Sequence, residues 1–586
     1  MRQWMVAAKK ADFYAIAEKF HVDPVVARII RNREVIGEKN IRIYLGGNLS
    51  DLSDPHQMKD MDRLVEILAQ KIRKQVHIRI IGDYDVDGVT SSHLFLTALR
   101  RVGAKVDVVI PHRIQDGYGL SLHLLQQAKE DGVDTILTCD NGIAAIDEIA
   151  WAKAQKMTVL VTDHHAVPFE EHEGRRTEKK SLADAVVNPH QQDCRYPYKE
   201  LCGAGVAWNV IRVLYENYDM DKREAEDLLD FVAMATVCDV MSLTGENRIL
   251  VKEGLKRIRH TKNIGLQALM QACNVQPENI SAYHFGYVLG PCVNATGRLD
   301  TARHALRLFE TGQETEAEEI ARDLVDLNQE RKELTLQGVE MAKKLCEEGG
   351  YENDPILVLF LPDVHESIAG LIAGRIREMY NRPVFVLTRG EEGVKGSGRS
   401  TENYSMYENM CGCVELFTKF GGHPMAAGLS LPEENVEKFR RKINENCPLT
   451  VEEVCPDIHI DMAMPVGYAS TELVHQFALL EPFGKDNSSP LFADRNLSIS
   501  RMWLIGKNRN VLRMSVLSEY GQPVPVIFFG DVETLFAYFT EKFGQEEVEN
   551  ALHGRKNRIL FSMVYTAKID FYQGNENLQL EMKYYR

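Results

Sequence analysis

Three short apolar runs in the first third of the chain end in aspartate, and two of them carry further acidic or imidazole side chains. The residues are Asp83 with Asp85 and Asp87, then Asp140, then Asp163 with His164 and His165. If the runs are parallel strands of one sheet, these side chains converge on one crevice at the carboxyl ends of the strands. Clustered carboxylates repel each other unless cations offset their charge. A single aspartate after a strand is commonly a helix cap, but its recurrence in sheet order favours a site for Mn²⁺ or Mg²⁺.

The elements that must position these residues alternate between strand and helix patterns from residue 77 to 190. Continuous β-branched runs predict strands that are covered on both faces, and the stretches between them read as helices. This alternation indicates a parallel sheet wound by right-handed crossovers, so the fold class is α/β. The predicted strands are 77–83, 105–111, 135–140, 158–163 and 185–189.

The period of the apolar residues changes further along the chain. Residues 200–310 look mainly helical, and 314–348 predict one long helix whose expected role is a spacer between domains. A second α/β unit follows, with strands at 355–362 and 382–388 and a helix between them. Alternating segments from 496 to 585 predict five strands of a small all-β barrel, of which the OB-fold is the commonest type. There Trp503, Tyr565 and Tyr584 could stack bases, although core packing is the commoner role of an aromatic residue.

We therefore expect five regions in a multidomain chain. They are an N-terminal helical segment (1–48), a metal-binding catalytic domain (49–250), a helical connector with the long helix (251–349), a substrate-binding α/β domain (350–448) and a nucleic-acid-binding barrel (455–586).

The composition restricts the class of protein. The 586 residues are too many for one hydrophobic core, and 44% hydrophobic with 26% charged residues is typical of a globular protein. No signal-peptide pattern or run of 18 apolar residues occurs, so we expect a cytoplasmic protein. Eleven scattered cysteines indicate reduced thiols. The net charge of −16 opposes broad duplex binding, but it allows a locally basic single-strand channel beside a metal site.

Several motifs resemble, in order and approximate spacing, those of the DHH phosphoesterases and of their RecJ branch. The N-terminal motifs are GDYDVDG (82–88), CDNG (139–142), TDHHA (162–166) and VCDVM (237–241). Later segments that resemble RecJ and the DHH-associated domain are GPCVNATGRLD (290–300), VHESIAGLIAGRI (364–376), KGSGRS (395–400), GGHPMAAG (421–428) and LEPFGKDN (480–487). The likeness spans almost the whole chain.

The resemblance implies a role for each matching residue. The metal ligands would be Asp83, Asp85, Asp87, Asp140, His164 and Asp239, with Asp140 as the bridge between two ions. Asp163 would orient the histidine pair, and His165 would face the scissile phosphate. Substrate contacts would come from His165, Asn294, Arg298, His365, Ser397, Arg399, Gly421, Gly422 and His423. We expect the segment 396–399 to offer exposed backbone amides together with the guanidinium of Arg399.

The function that the resemblance implies is a two-metal exonuclease, using Mn²⁺ or Mg²⁺, that degrades single-stranded DNA from 5′ to 3′ into 5′-mononucleotides. It also implies DNA repair and recombination, with a single-strand-binding protein and a RecQ-type helicase as partners. The alternatives are a DHH phosphodiesterase for short oligonucleotides or small nucleotides, and a non-catalytic single-strand-binding scaffold. The C-terminal barrel argues against the first, and the complete set of acidic motifs argues against the second. A manganese-dependent pyrophosphatase is disfavoured because those enzymes are far shorter.

The chain departs from the RecJ pattern at Cys292, Val364, Glu366 and Ser367. RecJ proteins commonly have arginine at the first of these positions, and an arginine there would grip a phosphate. We expect either weaker DNA binding beside Cys292 or a Cys292 that packs in a local core while Arg298 covers the phosphate.

Overall fold

The computed structural model describes residues 3–113, 116–117, 119–172, 175–390, 393–506, 509–572 and 574–586. Its backbone divides into two compact units. The first contains residues 48–456 and the second combines 3–47 with 457–586. No helix within the described ranges combines the length and the apolarity that a membrane crossing requires.

The first sheet of the larger unit contains all five strands that the sequence predicts. Every neighbouring pair is parallel, and helices cover the sheet, which explains why the strands are continuously apolar. The α/β prediction is therefore confirmed. In sheet order the strands are Val106–Val109, Ile78–Ile81, Thr135–Cys139, Thr158–Thr162 and Ala185–Val187, and the surrounding helices are Met61–Arg73, Val86–Arg101, Leu122–Glu130 and Ile146–Ala154.

A helical region follows this sheet. The predicted long helix is present at Glu314–Glu348, and it packs against two hydrophobic cores instead of only connecting two domains. Ile320 and Leu324 lie in the same hydrophobic core as the first sheet, and Val339 and Ala342 in the core beneath the second sheet. The preceding helices are Gly203–Asn217, Lys222–Glu226, Leu229–Cys238, Gly245–Ile258, Ile264–Ala272, Ala282–His284, Gly290–Leu299 and Arg303–Glu310, with a π-helical turn at Phe285–Leu289.

The second sheet contains the two strands that the sequence predicts and three that it does not. Only the predicted pair is parallel, and the other neighbours are antiparallel. Both glycine-rich segments form strands, and neighbouring side chains pack closely on two of the glycines, since an added Cβ at Gly396 or Gly398 would lie 2.4 Å from Leu387 or Met406. In sheet order the strands are Lys419–His423, Ala426–Leu431, Gly393–Arg399, Val384–Gly390 and Leu357–Phe360, and the helices are Ala369–Tyr380, Met406–Cys411 and Val436–Glu445.

The smaller unit is a closed all-β barrel with helical additions. Its five predicted long strands are present, and pairing of Phe492–Ile505 with Leu560–Tyr572 closes the barrel. The strand order is Met462–Ala463, Phe492–Ile505, Val511–Leu517, Pro523–Phe528, Asn575–Tyr585 and Leu560–Tyr572, with helices at Thr471–Phe477, Val532–Phe543 and Gln545–Leu552. The N-terminal helices Phe13–Phe20, Pro24–Asn32 and Glu38–Gly46 belong to this unit, as does a parallel pairing of Trp4–Val6 with Ile458–Ile460.

The three aromatic residues considered for base stacking differ in exposure. Tyr565 is fully buried and donates a hydrogen bond from its hydroxyl to the Met464 carbonyl oxygen (2.8 Å), so stacking of a base on Tyr565 is excluded. Trp503 is half-buried, and the guanidinium carbons of Arg501 and Arg513 lie 5.7 and 5.9 Å from its ring centroid. A partly exposed ring beside two cations suits the stacking of a nucleic-acid base, so the prediction for Trp503 stands.

Candidate metal centre

The aspartates that follow the first-sheet strands meet at one edge of the sheet. Asp83, Asp140 and Asp163 follow three strands that are neighbours in the sheet, so their carboxyl ends point into the same crevice. The ring Nε2 of His164 lies 3.0 Å from an Asp140 carboxylate oxygen and 3.6 Å from one oxygen of each of Asp87 and Asp239.

Three overlapping groups of potential ligand atoms result, each with its atoms within 4.8 Å of one another. The groups are Asp83 with Asp85 and Asp140, Asp140 with His164 and His165, and Asp87 with His164 and Asp239. Asp140 and His164 each belong to two groups, and of the two only Asp140 has a second ligand atom beside the first, as a bridge between ions needs. The structure therefore brings together the complete set of ligands that the sequence analysis proposes.

The N-terminus of the helix Gly203–Asn217 holds Asp87 in place. The backbone N–H groups of Gly203 and Ala204 donate hydrogen bonds to its two carboxylate oxygens, at 2.6 and 2.8 Å. This is the favourable end of the helix dipole for an anion. Position 203 requires glycine because an added Cβ would lie 2.6 Å from the Cβ of Asp140. The close approach lets one helix end support two members of the cluster.

Asp163 orients the histidine pair. One of its oxygens accepts hydrogen bonds from the backbone N–H groups of His164 (2.7 Å) and His165 (3.0 Å), and contacts His165 Nδ1 at 2.8 Å. The other accepts from the Ile143 N–H at 2.9 Å. Burial opposes ionisation, but the His165 hydrogen bond and the nearby imidazoles hold the pKa of Asp163 below its ordinary value. Burial by itself would lower the pKa of His165, but the hydrogen bond with Asp163 and the surrounding carboxylates outweigh burial and raise that pKa to about 9.

The electrostatics of the cluster fit divalent cations. Burial first, and then repulsion between neighbouring carboxylates, raise the pKa values of Asp83, Asp85 and Asp140. The buried Oδ1 of Asp83 has no hydrogen-bond partner among the described residues. Cations would satisfy that oxygen and remove the repulsion.

The cysteines around the cluster do not compete as ligands. Cys139, Cys202 and Cys238 lie near the carboxylates, and burial raises the pKa of each thiol. The three groups of potential ligand atoms contain no thiol, so the donor set consists of carboxylate oxygen and imidazole nitrogen. This set suits Mn²⁺ or Mg²⁺.

A cavity of about 460 Å³ extends from the first sheet to the second. Residues from the first sheet's loops and from the glycine-rich strands share its lining, including Tyr84, Arg113, Ser367, Ser397, Lys419 and Gly421. Two further arginines, Arg298 and Arg399, lie close enough to Arg113 for its positive charge to repel theirs. Burial and then this mutual repulsion lower both pKa values, that of Arg298 to about 10.

These three arginines form a cationic cluster, which we call the arginine cluster (Arg113, Arg298 and Arg399). Within the described part of the chain, none of them forms an ion pair with a carboxylate. The guanidinium of Arg298 donates to the Ser367 carbonyl oxygen, and that of Arg399 donates to Ser397 Oγ (3.2 Å) and the Gly398 carbonyl oxygen (2.7 Å). Uncompensated, partly buried guanidinium groups are suited to a phosphate.

The other predicted substrate residues lie around this cavity with different roles. Asn294 accepts a hydrogen bond from the Val86 N–H (3.2 Å) and so supports the loop that carries Asp85 and Asp87. His365 is exposed, and its Nδ1 contacts Ser367 Oγ at 2.7 Å. Gly422 and His423 lie exposed on the edge strand and outside the cavity lining, unlike Gly421.

One expectation for this region is wrong. The backbone around Ser397 is paired on both sides, opposite Val386 and Gly428, because Gly393–Arg399 is an interior strand. Its amides are therefore not exposed for phosphate binding. Of the two alternatives for Cys292, the structure favours packing in a local core, because Cys292 is 2% exposed and its Sγ accepts a hydrogen bond from Asn328 Nδ2 at 3.3 Å.

The remaining departures from the RecJ pattern lie at or near the cavity. Val364 is buried, whereas Glu366 and Ser367 line the cavity. Glu366 forms an ion pair with Lys395 at 2.8 Å. Arg113 and Lys419 also line the cavity and were missed from the sequence. Arg113 carried a usable signal, since it follows the strand Val106–Val109 at the same carboxyl edge as the aspartates.

Three family models match the chain. They are "DHH family, N-terminal domain" over residues 77–236, "DHHA1 domain" over 353–447 and "RecJ OB domain" over 460–584. Together they define a DHH-domain phosphoesterase with an OB-fold, and the two α/β regions and the barrel of the structure contain the matched residues.

Curated relatives and solved structures identify the branch. The single-stranded-DNA-specific exonuclease RecJ of Haemophilus influenzae is 32% identical over 582 residues, covering 96% of each chain. RecJ of Bacillus subtilis is 33% identical over 87% of this chain, which spans 63% of that relative's length. A manganese-bound exonuclease RecJ structure is 32% identical, with a TM-score of 0.57, over 66% of this chain and 94% of that one. RecJ of Thermus thermophilus with Mn²⁺ shares the fold, at 24% identity and a TM-score of 0.81 over 100% of this chain and 79% of that one. The chain belongs to the RecJ family.

Proposed function

We propose that this protein is a metal-dependent exonuclease that hydrolyses phosphodiester bonds of single-stranded DNA. The observation that carries the proposal is a buried carboxylate–histidine cluster beside a cavity and the arginine cluster, whose members form no ion pair with a carboxylate among the described residues. An anionic cluster alone could be a structural metal site, and cations alone could bind any anion. Their juxtaposition supports a site in which a phosphate would lie beside the proposed metal ligands.

The residues of the cluster would divide the work as follows. Asp83, Asp85, Asp87, Asp140, His164 and Asp239 would hold Mn²⁺ or Mg²⁺. When bound, such cations lower the pKa of a water molecule and offset charge that develops on the phosphate. Asp163 would orient the His165 imidazole through its contact with Nδ1, and it would hold the backbone of both histidines through their N–H groups. His165, with a raised pKa, would present a cationic N–H to a non-bridging phosphate oxygen.

The arginine cluster would hold the phosphate next to the scissile bond. Arg399 and Arg298 approach from different elements, so they would fix the position of the nucleotide relative to the metal ligands. Ser397 supplies a hydroxyl within the same cavity. We infer digestion from 5′ to 3′ with release of 5′-mononucleotides, in agreement with the family resemblance.

The C-terminal barrel would bind single-stranded DNA. Its match to the RecJ OB domain and the half-buried Trp503 between two arginines support this role. We also propose a cytoplasmic location, a role in DNA repair and recombination, and cooperation with a single-strand-binding protein and a RecQ-type helicase. The domain limits given above are part of the same proposal.

The test uses strands labelled at either end, with Mn²⁺ or Mg²⁺, beside duplex DNA, RNA and a dinucleotide. We expect metal-dependent release of mononucleotides from single-stranded DNA and little from a duplex. Hydrolysis of the dinucleotide but not of long strands would support the small-substrate alternative. Strand binding without hydrolysis under any metal condition would support the scaffold.

A matched pair of variants tests the cavity. Arg399→Gln should raise KM because it removes one cation from the arginine cluster. Arg389→Gln on the adjacent strand is the control, since its exposed guanidinium is paired with Glu433 outside the cavity. Equal effects of the two substitutions would contradict the assignment of the cavity to phosphate.

A further inference from the structure

Two cysteines outside the metal centre lie in direct contact. The Sγ atoms of Cys273 and Cys292 are 3.8 Å apart. Cys273 terminates the helix Ile264–Ala272, and Cys292 lies in the first turn of the helix Gly290–Leu299. Both thiols are free. A disulfide has a sulfur–sulfur distance of about 2.05 Å, so a small adjustment would join them.

The two thiols have different surroundings. Cys273 is half-buried, whereas Cys292 is 2% exposed. The hydrogen bond with Cys292 is the main cause that lowers the pKa of Cys273, and the same contact raises the pKa of Cys292. The partly exposed sulfur of Cys273 is the one that an oxidant meets first, and the buried sulfur of Cys292 lies in contact with it, where it can resolve the product.

We propose that Cys273 and Cys292 form a site of reversible oxidation, at which a hydroperoxide converts the two thiols to an intramolecular disulfide. The Cys273 thiolate attacks the terminal peroxide oxygen, the O–O bond breaks, and water or an alcohol leaves after taking up a proton. Cys273 is then a sulfenic acid. The Cys292 sulfur attacks that of Cys273, the S–O bond breaks, and the hydroxide leaves as water with the Cys292 proton. The thiols lose two electrons, which the peroxide accepts.

The disulfide would affect the metal centre through one helix. Closing the sulfurs from 3.8 Å to bonding distance brings them roughly 1.8 Å closer, and the part of this movement that side-chain rotation does not supply strains the first turn of the helix Gly290–Leu299. The same helix carries Asn294, which binds the Val86 N–H, and Arg298 of the arginine cluster. Oxidation should therefore lower turnover, on the order of tenfold to 100-fold for a displacement of about 1 Å at the reacting groups. This consequence rests on the proposed nuclease function, whereas the disulfide does not.

The full chain, loaded with Mn²⁺, is treated with hydrogen peroxide, and its free thiols are blocked by alkylation. Non-reducing peptide mass spectrometry then maps the disulfide. We expect one cross-linked peptide that joins Cys273 to Cys292 and disappears with dithiothreitol. Recovery of both residues as alkylated thiols, or of Cys273 as a sulfinic acid without the cross-link, would overturn the proposal.

Variants separate this site from general oxidative damage. Cys273→Ser should abolish the cross-link and the dithiothreitol-reversible loss of turnover. Cys411→Ser removes an exposed thiol elsewhere and should change neither result. A reversible loss that persists in Cys273→Ser would exclude the pair as its cause. The cross-link can be scored even if the protein shows no nuclease activity, so failure of the proposed function is distinguished from failure of this site.

Discussion

Replacing Asp163 by asparagine is the sharpest test of how the metal centre is built. The carboxylate accepts hydrogen bonds from three backbone N–H groups, those of Ile143, His164 and His165, and contacts the His165 ring. An amide has only one oxygen. If that oxygen faces the histidines, the new NH₂ group faces the Ile143 N–H, and two donors oppose each other. A buried unsatisfied donor costs about 1–3 kcal/mol, and the remaining bonds lose their charge assistance.

We expect a local destabilisation of about 3–5 kcal/mol, because bonds to a charged acceptor contribute about 1.5–3 kcal/mol each and neutral ones about 1. The histidine pair should lose its fixed orientation. Groups that orient metal ligands typically change metal affinity by about 10-fold to 100-fold when they are replaced. Asp163→Asn should therefore weaken Mn²⁺ binding by that factor and lower kcat/KM, although Asp163 itself lies outside the ligand groups.

The control is Asp184→Asn at the amino end of the same sheet. Asp184 also accepts a backbone hydrogen bond, from the Val159 N–H (2.8 Å), and binds Lys153 Nζ at 2.6 Å, but it lies away from the cluster. Calorimetric titration with Mn²⁺, thermal unfolding of the metal-free protein and kcat/KM are compared for both variants. Equal Mn²⁺ affinities in Asp163→Asn and the wild type would refute the orienting role.

Four further predictions concern other parts of the molecule. Asp140→Ala should reduce hydrolysis to that of the chelated wild type without unfolding the protein, and metal-dependent turnover by this variant would exclude a bridging role. Gly203→Ala, whose Cβ would lie 2.6 Å from that of Asp140, should cost about 1–3 kcal/mol and weaken Mn²⁺ binding, whereas an unchanged melting temperature and affinity would show that the helix end can yield. Burial raises the pKa of Asp230 from 3.8 to about 6, so the protonated carboxyl group stabilises the folded state fully below pH 3.8. This stabilisation, roughly 3 kcal/mol, is lost as the pH rises through about 6. Asp230→Asn should therefore be more stable than the wild type at pH 8 but not at pH 4, as thermal unfolding at both pH values would show. Trp503→Ala should weaken binding of long single strands roughly 10-fold to 100-fold while dinucleotide hydrolysis is unchanged, and parallel losses in the two assays would assign Trp503 to the barrel's stability.

Local patterns were sufficient for much of the first α/β region. Apart from the partly buried edge strand Val106–Val109, its strands are buried, so each is a mostly apolar run of strand length that stands out in the sequence. The aspartates directly follow those runs, and parallel order determines that they share one edge. The convergence of Asp83, Asp140 and Asp163 therefore required no knowledge of side-chain geometry.

The second sheet was less accessible because its glycine-rich strands lack the apolar signature of a buried strand. Gly393–Arg399 reads as a turn, yet strands on both sides pair with it and use the amides that we expected to be exposed. The pairing of Trp4–Val6 with Ile458–Ile460 joins residues more than 450 positions apart, and no local pattern reports such a contact.

Whether a given side chain is buried or exposed could be learned only from the folded structure. Cys292 and Tyr565 have types and positions that suit a surface or an interior, and packing against Asn328 and Met464 places both inside. The arginine cluster likewise assembles from three distant segments, so no spacing in the sequence predicts it. Secondary structure and the edge of a parallel sheet follow from local periodicity, whereas burial and long-range charge clustering depend on which distant segments become neighbours, and that is a property of the fold.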